Sequence, residues 1–177
     1  MEGITSNIIS ALQGIPKELT VVLISTLPIS ELRGAIPWAV LGMNMPLGKV
    51  YLLAVIGNLI PVIPLLLLLN GLTEWLGRFS FFKRPLDWWF SRVERRGGIV
   101  EKYGAIGLTL FVAIPLPITG AWTGCAAAML FKKKFRYAFP AIVCGVLLSG
   151  AVVSFLTWLV KAGIMESGGL FLKSLNR

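Results

Sequence analysis

At 177 residues, with 56% hydrophobic and 14% charged side chains and a mean hydropathy of +0.80, the chain is too apolar for an ordinary soluble domain. Such domains are about a quarter charged, so the chain reads as an integral membrane protein. The formal charge of +9 would point to nucleic acid in a soluble protein, but here the basic residues border apolar segments, which is the positive-inside pattern. Membrane lipids with anionic headgroups are therefore the expected partner, and nucleic acid is not. The chain has no histidine, so it lacks the commonest general base and metal ligand. Cys125 and Cys144 fall in apolar stretches and read as neither a metal site nor a disulfide framework. No metal, no cofactor and no enzymatic activity are expected.

Residues 1–17 form an N-terminal segment in which Ile4, Ile8, Ile9 and Leu12 recur at near-helical spacing among polar residues. This predicts a short amphipathic helix lying in the membrane interface. No basic cluster precedes it and Pro16 interrupts the place of a signal h-region, so no cleaved signal is expected. Residues 18–72 make a first unit. From Thr20 to Gly42 the chain is apolar for long enough to cross a bilayer, yet Pro28, Pro37, Gly34 and the pair Glu31 and Arg33 interrupt it. We read a re-entrant hairpin, in near residue 19 and out by residue 45. A spanning helix is predicted from Leu47 to Leu72, with kinks at Gly57-Asn58, Pro61 and Pro64 that neighbouring helices must satisfy.

Residues 73–103 gather seven cations, Arg78, Lys83, Arg84, Arg92, Arg95, Arg96 and Lys102, among aromatics such as Trp75, Trp88 and Trp89. Aromatic and basic residues together predict a cytoplasmic loop with amphipathic interfacial helices. Residues 104–161 make a second unit. Ala105 to Phe131 is again apolar and broken, here by Pro115 and Pro117, and it ends at Lys132-Lys133-Lys134-Phe135-Arg136. A second spanning helix is predicted from Tyr137 to Val160, and residues 162–177 read as a C-terminal tail.

The charges choose between two topologies. If 105–131 crossed the membrane, one of two strongly basic segments would face outward, against the positive-inside rule. If it re-enters, both stay inside. The expected fold is therefore an all-α membrane domain of two inverted repeats, each a re-entrant helical hairpin plus a transmembrane helix. The repeats share Leu-Pro-Ile-Ser at 27–30 and Leu-Pro-Ile-Thr at 116–119, and interrupted hydrophobic segments in corresponding halves mark the binding sites of transporters.

Hairpin tips that meet within the bilayer would bring Ser30, Glu31 and Arg33 near Thr119, Gly120, Trp122, Thr123 and Gly124. Ser30 and Thr119, each just after Pro-Ile, are placed to N-cap the second arm of their hairpins and aim the positive helix ends into the site. Such ends favour an anion. Arg33, with its fixed fork of donors, is the candidate clamp for an anionic headgroup. Glu31 is the acidic residue within the apolar segments, and intramembrane carboxyls serve as proton relays in transporters, so it is the candidate for proton coupling. Two residues apart on a helix, Glu31 and Arg33 should face different ways and not pair; the plainer alternative makes them structural anchors that pair with backbone or with each other in a non-helical turn. Asn58 is a secondary candidate, with an interhelical hydrogen bond as its plainer role. Trp122 is read either as a stacking surface for substrate or as an aromatic packed between hairpins.

The stretches Pro28-Ile29-Ser30-Glu31-Leu32-Arg33-Gly34-Ala35-Ile36-Pro37 and Pro115-Leu116-Pro117-Ile118-Thr119-Gly120-Ala121-Trp122-Thr123-Gly124 resemble the small multidrug export family of prokaryotic membrane proteins. More distantly, a broken hairpin with a glutamate, a spanning helix, a basic loop and then Lys102-Tyr103-Gly104 before a Pro-bearing hairpin is similar to the DedA family. That resemblance implies re-entrant hairpins, proton dependence and movement of polyprenyl phosphate or other lipids between leaflets. The arginine that DedA-type proteins carry in the second hairpin is missing around Pro115 to Gly124, so Arg33 would have to supply the positive charge. The resulting expectation is a multi-pass transporter of the prokaryotic inner membrane, working as a homodimer on a small amphiphile with an anionic headgroup. Export of cationic hydrophobic drugs on Glu31 and Trp122 is the alternative, and a non-transporting scaffold or assembly factor is another of a different class.

Overall fold

A computed structural model describes residues 16–68, 91–95, 97–114 and 119–175, the last twelve by backbone alone. The predicted N-terminal amphipathic helix and most of the basic aromatic loop lie outside these residues. All regular structure among them is helical: α1 (Lys17–Thr26), α2 (Glu31–Pro37) running into a π-helical turn (Trp38–Gly42), α3 (Leu47–Leu59), α4 (Gly98–Ala113), α5 (Ala121–Leu130) and α6 (Phe135–Leu175). Two stretches are long and apolar enough to cross a membrane, Leu47–Leu68 and Phe135–Gly163. The first is α3 carried past a turn at Ile60 and Pro61, so the break falls there and Gly57-Asn58 stays helical. The second overruns the predicted Tyr137 to Val160, and the supposed tail continues α6 to Leu175. The second unit also starts early, because α4 begins at Gly98 and absorbs Lys102-Tyr103-Gly104, with a sharp kink at Gly104 (φ 59, ψ −125) that a side chain would resist.

The two long helices pack antiparallel. Tyr51 Oη donates to the Leu147 carbonyl at 3.2 Å, Leu47 lies with Trp158 and Lys161 at one end, and Leu65 and Leu66 lie with Lys132 and Phe135 at the other. Gly150 lets them close: a Cβ there would stand 2.8 Å from the Tyr51 ring. Against this pair sit two helical hairpins. In the first, α1 runs beside α3 from the Glu18–Lys49 ion pair to Thr26, which reaches the Gly57 carbonyl. Then α2 and its π-turn return to Met45, back at the Lys161 end. In the second, α4 starts where Gly97 touches the Phe131 ring, runs beside α6 until Val112 meets Gly145, and α5 returns to Lys132 and Lys133.

Glycines and prolines explain this contact pattern. A Cβ on Gly57 would run into the Val22 carbonyl, and one on Gly145 would stand 2.9 Å from the Thr109 carbonyl. Each long helix thus presents a bare backbone patch to the first arm of its hairpin, the close approach that small residues permit between membrane helices. Pro61 has no N–H to return to the Gly57 carbonyl. The hydroxyl of Thr26 fills that vacancy at 3.0 Å, the re-satisfaction by a neighbouring helix that apolar surroundings demand. Pro37 likewise cannot donate to the carbonyl four residues back, and the chain widens there into the π-turn. The buried core that results runs through Val21, Leu32, Ile36, Val50, Ala54, Val112, Cys125 and Ile142. Outward-facing Leu52, Ile56, Leu148 and Phe155 stay exposed, the arrangement a lipid solvent favours.

Candidate functional site

The far ends of both hairpins lie well inside the long helices. Gly57 is ten residues in from Leu47 and Gly145 ten residues in from Phe135, about 15 Å in each case at 1.5 Å per residue. There the bends meet. The backbone N–H groups of Ala121 and Trp122, the first turn of α5, donate to the Glu31 carboxylate. Gly120 leaves the room, because a Cβ on it would overlap that carboxylate. In return the Trp122 indole N–H donates to the Thr26 carbonyl at 3.1 Å, at the C-terminus of α1. Each hairpin therefore caps a helix end of the other: a negative group on a positive N-terminus and a donor on orphan carbonyls.

Glu31 is only 6% exposed and has φ +45. This left-handed conformation is rare for a residue with a side chain; strain of that kind clusters at functional sites. It also overturns the expectation that Glu31 and Arg33 point apart, since helical spacing does not apply to a first residue outside helical dihedrals. Arg33 Nη2 stands 3.7 Å from Glu31 Oε2. The guanidinium, its side chain 22% exposed, also borders a cleft of about 280 Å³ between α2 and α6, with Pro37, Leu41, Val153, Leu156, Thr157 and Val160.

The expected N-caps are a second correction. Ser30 makes no side-chain cap to α2; its hydroxyl donates backward to the Ile24 carbonyl at 2.7 Å. Thr119 does the same toward Ile114, also at 2.7 Å. Each hydroxyl serves a carbonyl near the end of its hairpin's first arm, where carbonyls need donors, and not the second arm's N–H groups. The two matching bonds give the shared Pro-Ile-Ser/Thr element a physical meaning. Thr123 also turns inward, donating to the Gly120 carbonyl at 3.2 Å. Gly124 leaves the site altogether and packs against Val112 and Ile142. Trp122 serves the junction through its indole N–H. Asn58 is 1% exposed on the inner face of α3, with no hydrogen-bond partner for Oδ1 among the described residues.

Cys125 was not among the expected site residues. It lies one turn beyond Ala121, fully buried, with Sγ 3.9 Å from the Val62 carbonyl. A lone cysteine in an apolar run gives no sequence signal for that.

These features define an all-helical membrane protein organised around a buried carboxylate, a guanidinium and a helix N-terminus. A family model for small multi-drug export proteins matches residues 31–152, well over half the chain. The protein belongs to that family, whose name is that of a membrane exporter. No curated protein and no solved structure matches the chain, and the likeness to the DedA family finds no support.

Proposed function

We propose that this protein moves an amphiphile with an anionic headgroup across the inner membrane of a prokaryote, with Glu31 carrying the coupling proton. One observation carries the reading. The α5 N-terminus, flanked by Arg33, is an anion site, and the anion in it is the chain's own Glu31 carboxylate. An external phosphate or carboxylate that displaces Glu31 would find the same donors. Protonating Glu31 favours that exchange, because a neutral carboxyl holds the helix end and the guanidinium less strongly than a carboxylate does. Proton and anionic headgroup then enter the junction together.

In this reading the hairpins are re-entrant and the two units inverted repeats. Each hairpin begins and ends toward one end of the long helices and reaches well inside them, the first from the Lys49 end and the second from the Lys133 end. Positive-inside bias sets the Lys133 end in the cytoplasm. Two hairpins and two helices enclose little volume, so we take the working unit to be a homodimer.

The test is flux of a short-chain fluorescent lipid phosphate in proteoliposomes as a function of pH. Arg33→Ala should abolish flux and Glu31→Gln should make the remaining flux independent of pH; normal, pH-dependent flux in both variants refutes the mechanism. Transport of cationic dyes with indifference to Arg33 would favour drug export on Glu31 instead. Single cysteines at Met43 and Phe131, in a chain lacking Cys125 and Cys144, test re-entry separately. Met43 should label from the periplasmic side and Phe131 from the cytoplasmic side.

A further inference from the structure

We propose that the groove beside the turn between α5 and α6 is a second binding site, where an anionic amphiphile loads before its headgroup reaches Glu31 and Arg33. The groove encloses about 410 Å³. Lys132 and Lys133 stand at its mouth, Leu65, Leu66, Met129 and Phe135 form apolar walls, and Ala128 and Cys125 form the floor. Two lysines beside a cleft that leucine, methionine and phenylalanine side chains line complement a molecule with an anionic head and a hydrocarbon tail, whereas a free inorganic anion would meet the lysines alone.

The backbone at Lys132 is a second, independent observation. The Lys133 N–H donates to the Ala128 carbonyl at 2.8 Å and the Lys132 N–H to the Met129 carbonyl at 3.0 Å, the paired bonds of a Schellman helix end. Lys132 occupies the left-handed position of that motif with φ +50. Glycine belongs there, and a side chain costs about 1 kcal/mol. The lysine is thus held where backbone stability alone would replace it, and its amine borders the groove.

The floor gives the groove a destination. Ala121, Cys125 and Ala128 fall four and three residues apart, which places them along one face of α5, and Lys132 follows two residues after the helix ends at Leu130. From Ala128 in the groove floor that face runs to the N–H groups that hold Glu31, about 10 Å at 1.5 Å per residue. Its small side chains are buried. The onward transfer to Arg33 rests on the function proposed above; binding in the groove does not.

The test uses the full chain in neutral detergent with dodecyl phosphate as probe. Its affinity is measured by native mass spectrometry for wild type, the double variant Lys132→Gly with Lys133→Gln, Lys49→Gln and Arg33→Ala. Lys132→Gly suits the conformation, so the double variant is expected to fold. We expect the double variant to weaken binding at least ~10-fold, the equivalent of about 1.4 kcal/mol, and Lys49→Gln, a control at the opposite end of α3 in an ion pair with Glu18, to leave it within about twofold, that is about 0.4 kcal/mol. With Cys125 and Cys144 both replaced by serine and Met129→Cys introduced at a partly buried groove position, dodecyl phosphate should also slow modification of that thiol by a small neutral reagent, while dodecyl maltoside and inorganic phosphate should not. Absence of binding in wild type, equal affinity in the lysine variant, or equal binding of inorganic phosphate each overturns the groove. Binding lost in Arg33→Ala but kept in the lysine variant also overturns it, and leaves the Arg33 site standing. Groove binding intact with normal flux in Arg33→Ala overturns the proposed function instead.

Discussion

Replacing Gly120 by alanine tests whether the two hairpins are locked to each other through Glu31. A Cβ at Gly120 would sit 2.5 Å from Glu31 Oε1 and 2.6 Å from its Cδ, and would overlap Oε2. Real Cβ contacts do not come under 3.0 Å, so the carboxylate must swing off the α5 N-terminus. It then loses the N–H donors of Ala121 and Trp122. Each buried N–H left without its acceptor costs about 1–3 kcal/mol, so Gly120→Ala should cost about 2 kcal/mol or more. For a chain of this size that lowers an unfolding midpoint by about 4 °C or more. The decisive measurement is a double-mutant cycle in neutral detergent, followed by tryptophan fluorescence. Glu31→Ala is costly alone, since it strands the same N–H groups, but once the carboxylate is gone the new methyl at residue 120 has space. Gly120→Ala on that background should therefore cost within about 0.5 kcal/mol of zero. Gly48→Ala, where a Cβ meets nothing within 4 Å, is the control. Additive costs for Glu31→Ala and Gly120→Ala, or a harmless Gly120→Ala, refute the lock.

Lys132→Gly should raise the unfolding midpoint, by the equivalent of about 1 kcal/mol, because it relieves a left-handed backbone; a fall would mean that the lysine stem contributes packing there. Thr26→Val removes the donor to the Gly57 carbonyl that Pro61 leaves vacant. It should cost about 1–3 kcal/mol, the penalty of a buried unsatisfied carbonyl. Thr109→Val should cost less in the same melting experiment, since the Ala141 carbonyl that Thr109 reaches keeps its own helical bond from Gly145. At the surface, Lys49 Nζ donates to Glu18 at 2.6 Å and holds that carboxyl below the ordinary range. Its stabilisation is present above the ordinary carboxylate pKa and fades as pH falls through the lowered one. Because both side chains of the pair are about half exposed, Glu18→Gln should change acid melting only at low salt, and a difference that persists at about 0.15 M salt would contradict this.

Composition by itself determined that this is a helical membrane protein with two helices able to cross a bilayer. An 18-residue apolar window needs no tertiary context to read, so Leu47–Leu68 and Phe135–Gly163 were legible within a few residues. The prolines, Glu31 and Arg33 also marked the first bend correctly, since such residues are costly in apolar surroundings. What the sequence could not supply was who satisfies whom. That Thr26 serves the carbonyl freed by Pro61, that Ser30 and Thr119 bond backward, and that Glu31 caps α5 while Trp122 caps α1 all join residues far apart in sequence. In a low-dielectric interior an unmade hydrogen bond is expensive wherever the partner lies, so tertiary approach and not local spacing chose these pairs. The Glu31–Arg33 contact likewise followed from one left-handed backbone angle, which the tertiary fold imposed and local helical spacing did not foretell.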